Sequence, residues 1–213
     1  IFVAVGSGGI ILTSSDGISW TVRSSGTSNG LNGVKYVNNI FVAVGISGTI
    51  LTSSDGISWT SRTSGTSNEL DGITYGNSIF VAAGISKTVL TSSDGISWTE
   101  RNTCCGSTLS DVIYANSIFV TVGSGGGILT SSDGISWTLR TSGTSNSLEG
   151  ITYGNSIFVA SSGDGTILTS SDGISWTERN SGSEKVLSGI TFVNSIFVTV
   201  GNSGTILTSS DGT

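Results

Sequence analysis

Acidic side chains recur at a fixed spacing in this chain of 213 residues, and carboxylates are among the groups that perform general acid–base chemistry. Six aspartates follow one another at intervals of 39 residues, namely Asp16, Asp55, Asp94, Asp133, Asp172 and Asp211. Five arginines share a second position with the same spacing, namely Arg23, Arg62, Arg101, Arg140 and Arg179. Paired carboxylates are the groups that cleave glycosidic bonds, and arginine binds anionic substrates. An active site needs one convergent set of groups, whereas this spacing gives equivalent copies, so we interpret the aspartates as structural.

The composition excludes several kinds of functional site. Because the chain has no histidine, it cannot use a histidine-activated nucleophile or an imidazole metal ligand. Its 8 basic and 14 acidic side chains argue against binding to nucleic-acid phosphates or to an anionic membrane. No apolar run approaches the roughly 18 to 20 residues that a membrane-spanning helix needs. We therefore expect no metal, no cofactor, no nucleic-acid partner and no membrane insertion.

An internal repeat organises the whole chain. The sequence Ile-Phe-Val begins at residues 1, 40, 79, 118, 157 and 196, which is a constant step of 39 residues. A unit of this size is too small to bury its own core, so neighbouring units must supply the missing contacts. We predict one repeat domain over residues 1–213. Because the chain begins without Met inside an apolar segment and stops within the repeated motif, we expect it to be a fragment of a longer protein.

One repeat unit, residues 70–108, contains four short apolar segments between turns. We name these segments strands A to D, and we predict them at residues 70–75, 79–83, 88–91 and 96–101. Short runs rich in β-branched and aromatic residues between turn residues are typical of β-strands, and no segment has a helical period. The Asp94-Gly95 pair predicts a hairpin turn of type I′ between strands C and D.

Four antiparallel strands per unit, repeated around a channel, predict an all-β fold, a β-propeller in which each 39-residue repeat is one blade. A β-trefoil has three repeats and β-solenoid coils are shorter, so both are disfavoured. Five blades would leave one surplus hairpin, and we favour six blades over five. Five tryptophans share a position that we place on strand D, where each is expected to fill the gap to the next blade: Trp20, Trp59, Trp98, Trp137 and Trp176.

The turn between strands C and D resembles a known motif. The segment Ser53-Ser54-Asp55-Gly56-Ile57-Ser58-Trp59, which recurs in the other repeats, resembles the Asp-box, or bacterial neuraminidase repeat, of sialidase-like propellers. The resemblance covers the whole chain, although Gly directly follows Asp and the distance from Asp to Trp is one residue shorter. It implies that the carboxylate accepts backbone hydrogen bonds within its own turn, that Gly takes a positive φ and that Trp packs inward.

Sialidase chemistry is a second implication of this resemblance. That family uses clustered arginines, a tyrosine nucleophile paired with glutamate and an aspartic acid, each placed once in a central pocket. Here the arginines share one position on the outer strand and cannot converge. The tyrosines also share one repeat position, namely Tyr36, Tyr75, Tyr114 and Tyr153. We therefore expect no catalytic residue, and a sialidase-like glycoside hydrolase stays an alternative.

The loops that differ between repeats are the candidate binding surface. The B–C and D–A loops should emerge on one face, and the A–B turns and Asp-box turns on the other. Function on a rigid scaffold usually lies on its loops. The candidate binding residues are Glu69, Lys87, Cys104, Cys105, Asp164, Glu184 and Lys185. Drift after duplication would explain the same differences, and the adjacent cysteines are either incidental or a redox-sensitive pair.

These features favour a non-catalytic module that binds a glycan or a protein on the B–C and D–A loops. A purely structural scaffold is the other non-enzymatic hypothesis, by analogy with the Asp-box photosystem assembly factor. Near-identical blades could also exchange between chains, which predicts self-association. The resemblance favours an extracellular or cell-envelope location.

Overall fold

The chain folds almost entirely into antiparallel β-sheets, as a computed structural model that describes residues 1–103 and 108–212 shows. It forms two compact units, Ile1–Arg101 and Asn102–Thr213, and each is described by itself. The six sheets are the six blades of a β-propeller, which confirms the predicted fold and blade number. In the described part of the chain, no helix is long and apolar enough to cross a membrane.

The first unit contains blades 1 to 3. Its strands are β1 (Phe2–Gly6), β2 (Ile10–Ser14), β3 (Thr21–Arg23), β4 (Leu31–Val37), β5 (Ile40–Gly45), β6 (Ile50–Ser53), β7 (Thr60–Arg62), β8 (Leu70–Gly76), β9 (Ile79–Gly84), β10 (Val89–Ser92) and β11 (Thr99–Arg101). Blade 1 has the order β1-β2-β3, and blades 2 and 3 have four strands each, β4 to β7 and β8 to β11. Single turns of 3-10 helix connect strands B and C at Ser7–Gly9, Ile46–Gly48 and Ile85–Lys87.

The second unit contains blades 4 to 6. Its strands are β12 (Leu109–Ala115), β13 (Ile118–Gly123), β14 (Gly127–Ser131), β15 (Thr138–Arg140), β16 (Leu148–Gly154), β17 (Ile157–Ser162), β18 (Ile167–Ser170), β19 (Thr177–Arg179), β20 (Leu187–Val193), β21 (Ile196–Gly201) and β22 (Ile206–Ser209). Blades 4 and 5 have four strands, and blade 6 has the order β20-β21-β22. Two 3-10 turns lie at Ser124–Gly126 and Asn202–Gly204.

The two kinds of hairpin turn in a blade differ from the prediction. The connection between strands A and B is a two-residue turn in which Asn77 and Ser78 both have positive φ, 45° and 65°, as a type I′ turn requires. The C–D connection, predicted as type I′ at Asp94-Gly95, instead runs for six residues between β10 and β11, and Asp94 is not among the residues with positive φ. Strand D is correspondingly shorter than predicted, because residues 96–98 belong to this turn.

A blade has two apolar faces, which pack against different neighbours within its unit. The valine face carries every second residue of strand B and the first apolar residue of strand C. The phenylalanine face carries the intervening residues of strand B and the second apolar residue of strand C. In the first unit, Val42, Val44 and Ile50 from the valine face of blade 2 pack against Phe80 and Leu90 from the phenylalanine face of blade 3. The same pairing joins blades 4 and 5 in the second unit. The repeat thus builds one interface several times.

The tryptophans pack in the opposite direction from the prediction. Trp98 precedes strand D, and its ring lies 6.3 Å from that of Phe80 in the same blade. It packs on the cluster formed with Val42 and Val44, which belong to the preceding blade and not to the next one. The indole N–H donates to the carbonyl of Gly95, 3.1 Å away, so the six-residue turn holds the ring on this side.

Ser161 interrupts the apolar sequence of strand B in blade 5. Its repeat position holds Val44, Ala83 or Val122 elsewhere, its side chain is fully buried, and its hydroxyl has no hydrogen-bond partner in the part of the chain that the structure describes. A buried unpaired hydroxyl costs about 1 to 3 kcal/mol. We therefore expect Ser161→Ala to raise the free energy of unfolding by about 1 kcal/mol in urea titrations. Ser162→Ala is the control, because the Ser162 hydroxyl donates to Asp164 and its loss should destabilise. An equal effect of both changes would contradict the assignment.

Candidate binding face

The turns between strands C and D are closed by their own aspartates. In blade 4, Oδ1 of Asp133 accepts hydrogen bonds from the backbone N–H groups of Ile135 and Ser136, both at 2.8 Å, and from the Ser131 hydroxyl at 2.9 Å. Gly134 has a φ of 72°, which suits glycine. The backbone donors of Ser136 and Ile135 lower the pKa of Asp133 to about 2. These carboxylates therefore satisfy backbone groups and are not turned toward a common site.

The pH dependence of this turn is a prediction of its own. The folded state depresses the pKa of Asp133, so the stabilisation is present above about pH 4 and is lost as the pH falls toward 2. We expect Asp133→Ala to lower the melting temperature by about 2 to 4 °C at pH 6. This difference should shrink as the pH is lowered from 4 to 2. Thermal unfolding followed by circular dichroism measures it, and a difference that is equal at pH 2 and pH 6 would contradict the role of the carboxylate.

The arginines and tyrosines that sialidase chemistry would need lie in repeated structural contacts. Nε of Arg62 donates to the Thr52 hydroxyl at 2.8 Å, and strand D, which carries Arg62, is the edge strand of its sheet. Tyr75 is the cross-strand neighbour of Phe80, with ring centroids 4.8 Å apart. Its hydroxyl accepts a hydrogen bond from Asn38 at 2.8 Å. The arginine and tyrosine side chains therefore occur at equivalent positions of successive blades, and within each unit they do not form one cluster.

The B–C and D–A loops are joined by hydrogen bonds. In the first unit, the backbone N–H of Ile85 donates to the carbonyl of Glu69 at 3.0 Å, and the Asn68 amide donates to the Thr88 hydroxyl at 2.8 Å. In the second unit, the N–H of Gly163 donates to the carbonyl of Ser147 at 2.8 Å. The D–A loop that precedes a blade is therefore fixed to the B–C loop of that blade.

Lys87 occupies a position that requires glycine in the second repeat. Gly48, its equivalent, has a φ of 66°, and a Cβ there would lie 2.1 Å from the Thr66 carbonyl oxygen. Lys87 has the same φ, 66°. In the same repeat, Cys104-Cys105 replaces the Gly65-Thr66 of the second repeat. Both cysteines lie outside the residues that the structure describes.

The other predicted binding residues divide between structural contacts and open surface. The Asp164 carboxylate accepts hydrogen bonds from the Ser162 hydroxyl at 2.7 Å, from the Thr166 N–H at 3.0 Å and from the Asn146 amide. These bonds hold the B–C loop that carries Asp164. Glu184 and Lys185 are exposed on the D–A loop before blade 6. The Ser181 hydroxyl of that loop donates to the Gly165 carbonyl, so the two loops are adjacent.

A groove on the loops of the first unit has a volume of about 550 Å³. It lies between the D–A loops on either side of blade 2 and the B–C loop of that blade. Most lining side chains carry hydroxyl or amide groups, and Arg62 is the charged one among them. The lining residues are Gly26, Thr27, Asn29, Ser47, Gly48, Thr49, Leu51, Ser61, Arg62, Thr63, Ser64, Gly65, Thr66 and Ser67. The sequence analysis singled out the loops but missed this groove, because only the folded chain shows which residues of the three loops line one common space.

Asn32 and Asp71 form a polar group with Glu69 that the sequence analysis also missed. The Asn32 amide donates to Oε1 of Glu69 at 2.9 Å, to the Leu70 carbonyl at 3.1 Å and to Oδ1 of Asp71 at 3.2 Å. Burial and the neighbouring Glu69 carboxylate raise the pKa of Asp71 to about 6. The available signal was variation at the second residue of strand A, which is Asn32 or Asp71 in the first unit.

The raised pKa of Asp71 predicts a pH-dependent stability. Since the folded state favours the protonated acid, this contribution is full below about pH 4 and is lost as the pH rises through 6. We expect Asp71→Asn, which copies the residue at the same position of the preceding repeat, to stabilise the chain at pH 7.5. The gain should be about 1 kcal/mol after solvent screening of a half-buried group is allowed for. Urea unfolding at pH 4 and 7.5 measures it, and a gain that persists unchanged at pH 4 would contradict the cause.

The described residues contain no group of three or more Asp, Glu, His or Cys side chains placed to hold a metal ion.

Comparison with protein-family models and with curated proteins gave no match. Solved structures do match. The YCF48 structure bound to D1 peptide has 18% sequence identity and a TM-score of 0.69, over 85% of this chain and 63% of that one. The chain therefore spans less than two thirds of that protein's length.

Two further structures show the same fold at low identity. YCF48 from Cyanidioschyzon merolae has 19% identity and a TM-score of 0.71, over 97% of this chain and 78% of that one. A nidogen/laminin complex has 11% identity and a TM-score of 0.70, over 93% of this chain and 84% of that one. These likenesses are of fold alone. They place the chain among β-propellers.

Proposed function

We propose that this propeller is a non-catalytic module that binds an extended segment of another protein in the groove beside blade 2. The observation that carries the proposal is the groove of about 550 Å³ with its lining of hydroxyl, amide and backbone groups. An extended peptide needs donors and acceptors along its length, and such a lining supplies them.

The walls of the groove are held in place before any ligand arrives. The Ser64 hydroxyl donates to the Thr66 carbonyl at 3.1 Å, and the Asn29 amide donates to the Thr49 hydroxyl at 2.9 Å. The first bond closes the D–A loop after blade 2 on itself, and the second joins the D–A loop before blade 2 to the end of the B–C turn. Preformed walls reduce the entropy that is lost on binding. Arg62, whose Nε is bonded to Thr52, gives the groove one fixed positive charge for an acidic side chain or a carboxyl terminus.

The comparisons support this class of ligand through the fold. One matching structure is a propeller bound to a peptide and another is a complex of two proteins. The repeated positions of the arginines and tyrosines support the non-catalytic part of the proposal. We also propose that the turns at Asp133 and its equivalents are shortened Asp-boxes, in which the carboxylate organises the turn.

A displayed peptide library tests the proposed function. We expect selection on the purified chain to enrich a peptide family, and calorimetry with one synthetic member to give saturable binding. Ser67→Arg, at an exposed lining position, should weaken that binding by about tenfold or more. Ser145→Arg is the matched control, because it places the same side chain at the equivalent position of the second unit.

Three results would contradict the proposal. Failure to enrich any peptide, with binding on a glycan array instead, would favour a glycan ligand. Equal weakening of peptide binding by Ser67→Arg and Ser145→Arg would show that the groove beside blade 2 is not the binding site. Turnover of fluorogenic glycosides by the purified chain would establish the hydrolase alternative.

A further inference from the structure

A second cavity lies beside the groove of blade 2 and repeats its construction; we name it the blade 1 cavity. It lies between the B–C loop of blade 1 and the D–A loop that follows this blade, and its lining residues are Gly8, Gly9, Ile10, Arg23, Ser24, Ser25, Gly26, Thr27 and Ser28. Each of these residues lies 39 positions before a residue that lines the groove. Gly26 and Thr27 line both spaces, so the cavity and the groove are direct neighbours within the first unit.

Equivalent hydrogen bonds hold the two spaces in shape. Nε of Arg23 donates to the Thr13 hydroxyl at 2.9 Å, and the Ser25 hydroxyl donates to the Thr27 carbonyl at 3.0 Å. Arg62 and the loop that follows it make the same two bonds beside blade 2. Each arginine is therefore fixed against strand C of its own blade, next to a loop that is closed on itself.

The charge of both linings comes from arginine. Arg23 is the charged residue that lines the blade 1 cavity, Arg62 is the one that lines the groove, and both side chains are half-buried. A guanidinium has five N–H donors, and the bond to threonine uses the one at Nε. No other hydrogen bond to either arginine occurs among the described residues. The Nη groups can therefore bind a carboxylate through two parallel hydrogen bonds.

The sequence of the D–A loop distinguishes this pair of blades from the others. The loop after blade 1 reads Arg-Ser-Ser-Gly-Thr-Ser over residues 23–28, and the loop after blade 2 reads Arg-Thr-Ser-Gly-Thr-Ser over residues 62–67. The second of these sequences recurs after blade 4, at residues 140–145. The loops that begin at Arg101 and Arg179, after blades 3 and 5, have different sequences. Blades 1 and 2 are thus the consecutive blades in which this loop is repeated.

We propose that the blade 1 cavity and the groove beside blade 2 together bind one acidic peptide, with one carboxylate on Arg23 and a second carboxylate on Arg62. This inference rests on the proposed function and adds to it the class of peptide and a second site. Charge complementarity specifies the occupant, because two fixed guanidinium groups with hydroxyl and backbone groups between them match an extended chain with two separated carboxylates. Binding at one arginine raises the local concentration of the second carboxylate, so the pair gains affinity over either site alone.

Peptides with one or two glutamates test the pairing. The probes are blocked at both termini, consist otherwise of Gly and Ser, and place about two to ten residues between the glutamates, since an extended residue spans about 3.3 Å. NMR titration of the arginine Nε–H signals reports on each site separately. We expect one spacer length to bind about tenfold or more tightly than a one-glutamate peptide. This peptide should shift the Arg23 and Arg62 signals together, and the Arg140 signal should respond no more strongly than to the one-glutamate peptide.

Substitutions at the two arginines separate the sites. Arg23→Gln and Arg62→Gln should each lower the affinity for the best two-glutamate peptide by about tenfold, to that of a peptide with one glutamate. Arg140→Gln is the matched control, because Nε of Arg140 makes the same bond to a threonine hydroxyl, that of Thr130, at 2.9 Å. It should leave the affinity unchanged.

A second variant leaves the bond between arginine and threonine intact. Ser28 is exposed in the lining of the blade 1 cavity, so Ser28→Glu places a competing carboxylate there. We expect it to weaken binding of the two-glutamate peptide by about as much as Arg23→Gln does. Ser145→Glu, at the equivalent position of the second unit, should leave the affinity unchanged.

The outcomes distinguish this inference from the proposed function. Loss of binding in Arg62→Gln with full binding in Arg23→Gln would overturn the pairing and leave the groove as a peptide site. Equal weakening by Arg140→Gln would also overturn the pairing. Absence of binding by every peptide, including those from the displayed library, would overturn both proposals. A sulfated oligosaccharide that shifts both arginine signals when no acidic peptide does so would replace the peptide by an anionic glycan.

Discussion

Replacing Phe80 by alanine is expected to lower the free energy of unfolding by about 3 to 5 kcal/mol. The ring is buried at the centre of the interface between blades 2 and 3, where it packs with Val42 and Leu90. It also lies beside Tyr75 and Trp98, with ring centroids 4.8 and 6.3 Å away. Alanine would leave a cavity that these neighbours, which are fixed by strand pairing and by the turn, cannot fill. Urea unfolding followed by tryptophan fluorescence measures the loss.

The repeat supplies a matched control for this change. Phe2 has the same position in blade 1 but is exposed, so Phe2→Ala should lower the free energy of unfolding by less than about 1 kcal/mol. An equal loss in the two variants would show that burial at the blade interface is not what makes this phenylalanine important.

Replacing Gly84 by alanine is expected to cost about 3 kcal/mol for a different reason. Its φ is −169°, which any residue can adopt, but a Cβ would lie 1.9 Å from the Glu69 carbonyl oxygen and 2.8 Å from the Leu70 Cα. The Glu69 carbonyl accepts the Ile85 N–H, so relief of the clash would separate strand A from strand B where the loops meet.

Gly6 is the control for this backbone clash. It has the same repeat position and a φ of −170°, but a Cβ there would meet its nearest atom, Cγ2 of Ile10, at 3.6 Å. Gly6→Ala should therefore change the free energy of unfolding by no more than about 0.5 kcal/mol. Hydrogen exchange of the Ile85 amide provides a local readout, because this amide should lose protection in Gly84→Ala. Unchanged protection there would contradict the mechanism.

The fold could be predicted from the sequence because the same apolar pattern recurs at a constant spacing of 39 residues. Strands A to C were predicted to within about one residue, since each is an apolar run between turn residues. Strand D was predicted too long because Ile96 and Trp98 look like strand residues. In the structure Asp94 binds the N–H groups of Ile96 and Ser97, and those bonds keep this segment in the turn.

The binding face was less accessible to sequence reasoning. Asp164 stood out as a variable charged residue, yet its carboxylate is occupied by the hydroxyl of Ser162 and the N–H of Thr166. The groove residues did not stand out, because Ser64 and Thr66 recur in other repeats. The hydrogen bond between them depends on the folded shape of the loop, which the sequence does not show. The approach of Asn32 to Glu69 links residues 37 positions apart, and a single sequence contains no signal for such a contact.

The uniform pairing of valine and phenylalanine faces also bears on how such a gene changes over time. Recombination between any two copies of the 39-residue repeat adds or removes whole blades, and every new junction joins surfaces that already fit. Unequal crossing-over can therefore vary the length of the protein without passing through unfolded ancestors. The price is that substitutions at these faces must stay compatible with all neighbours, which keeps the copies alike and leaves the loops free to diverge.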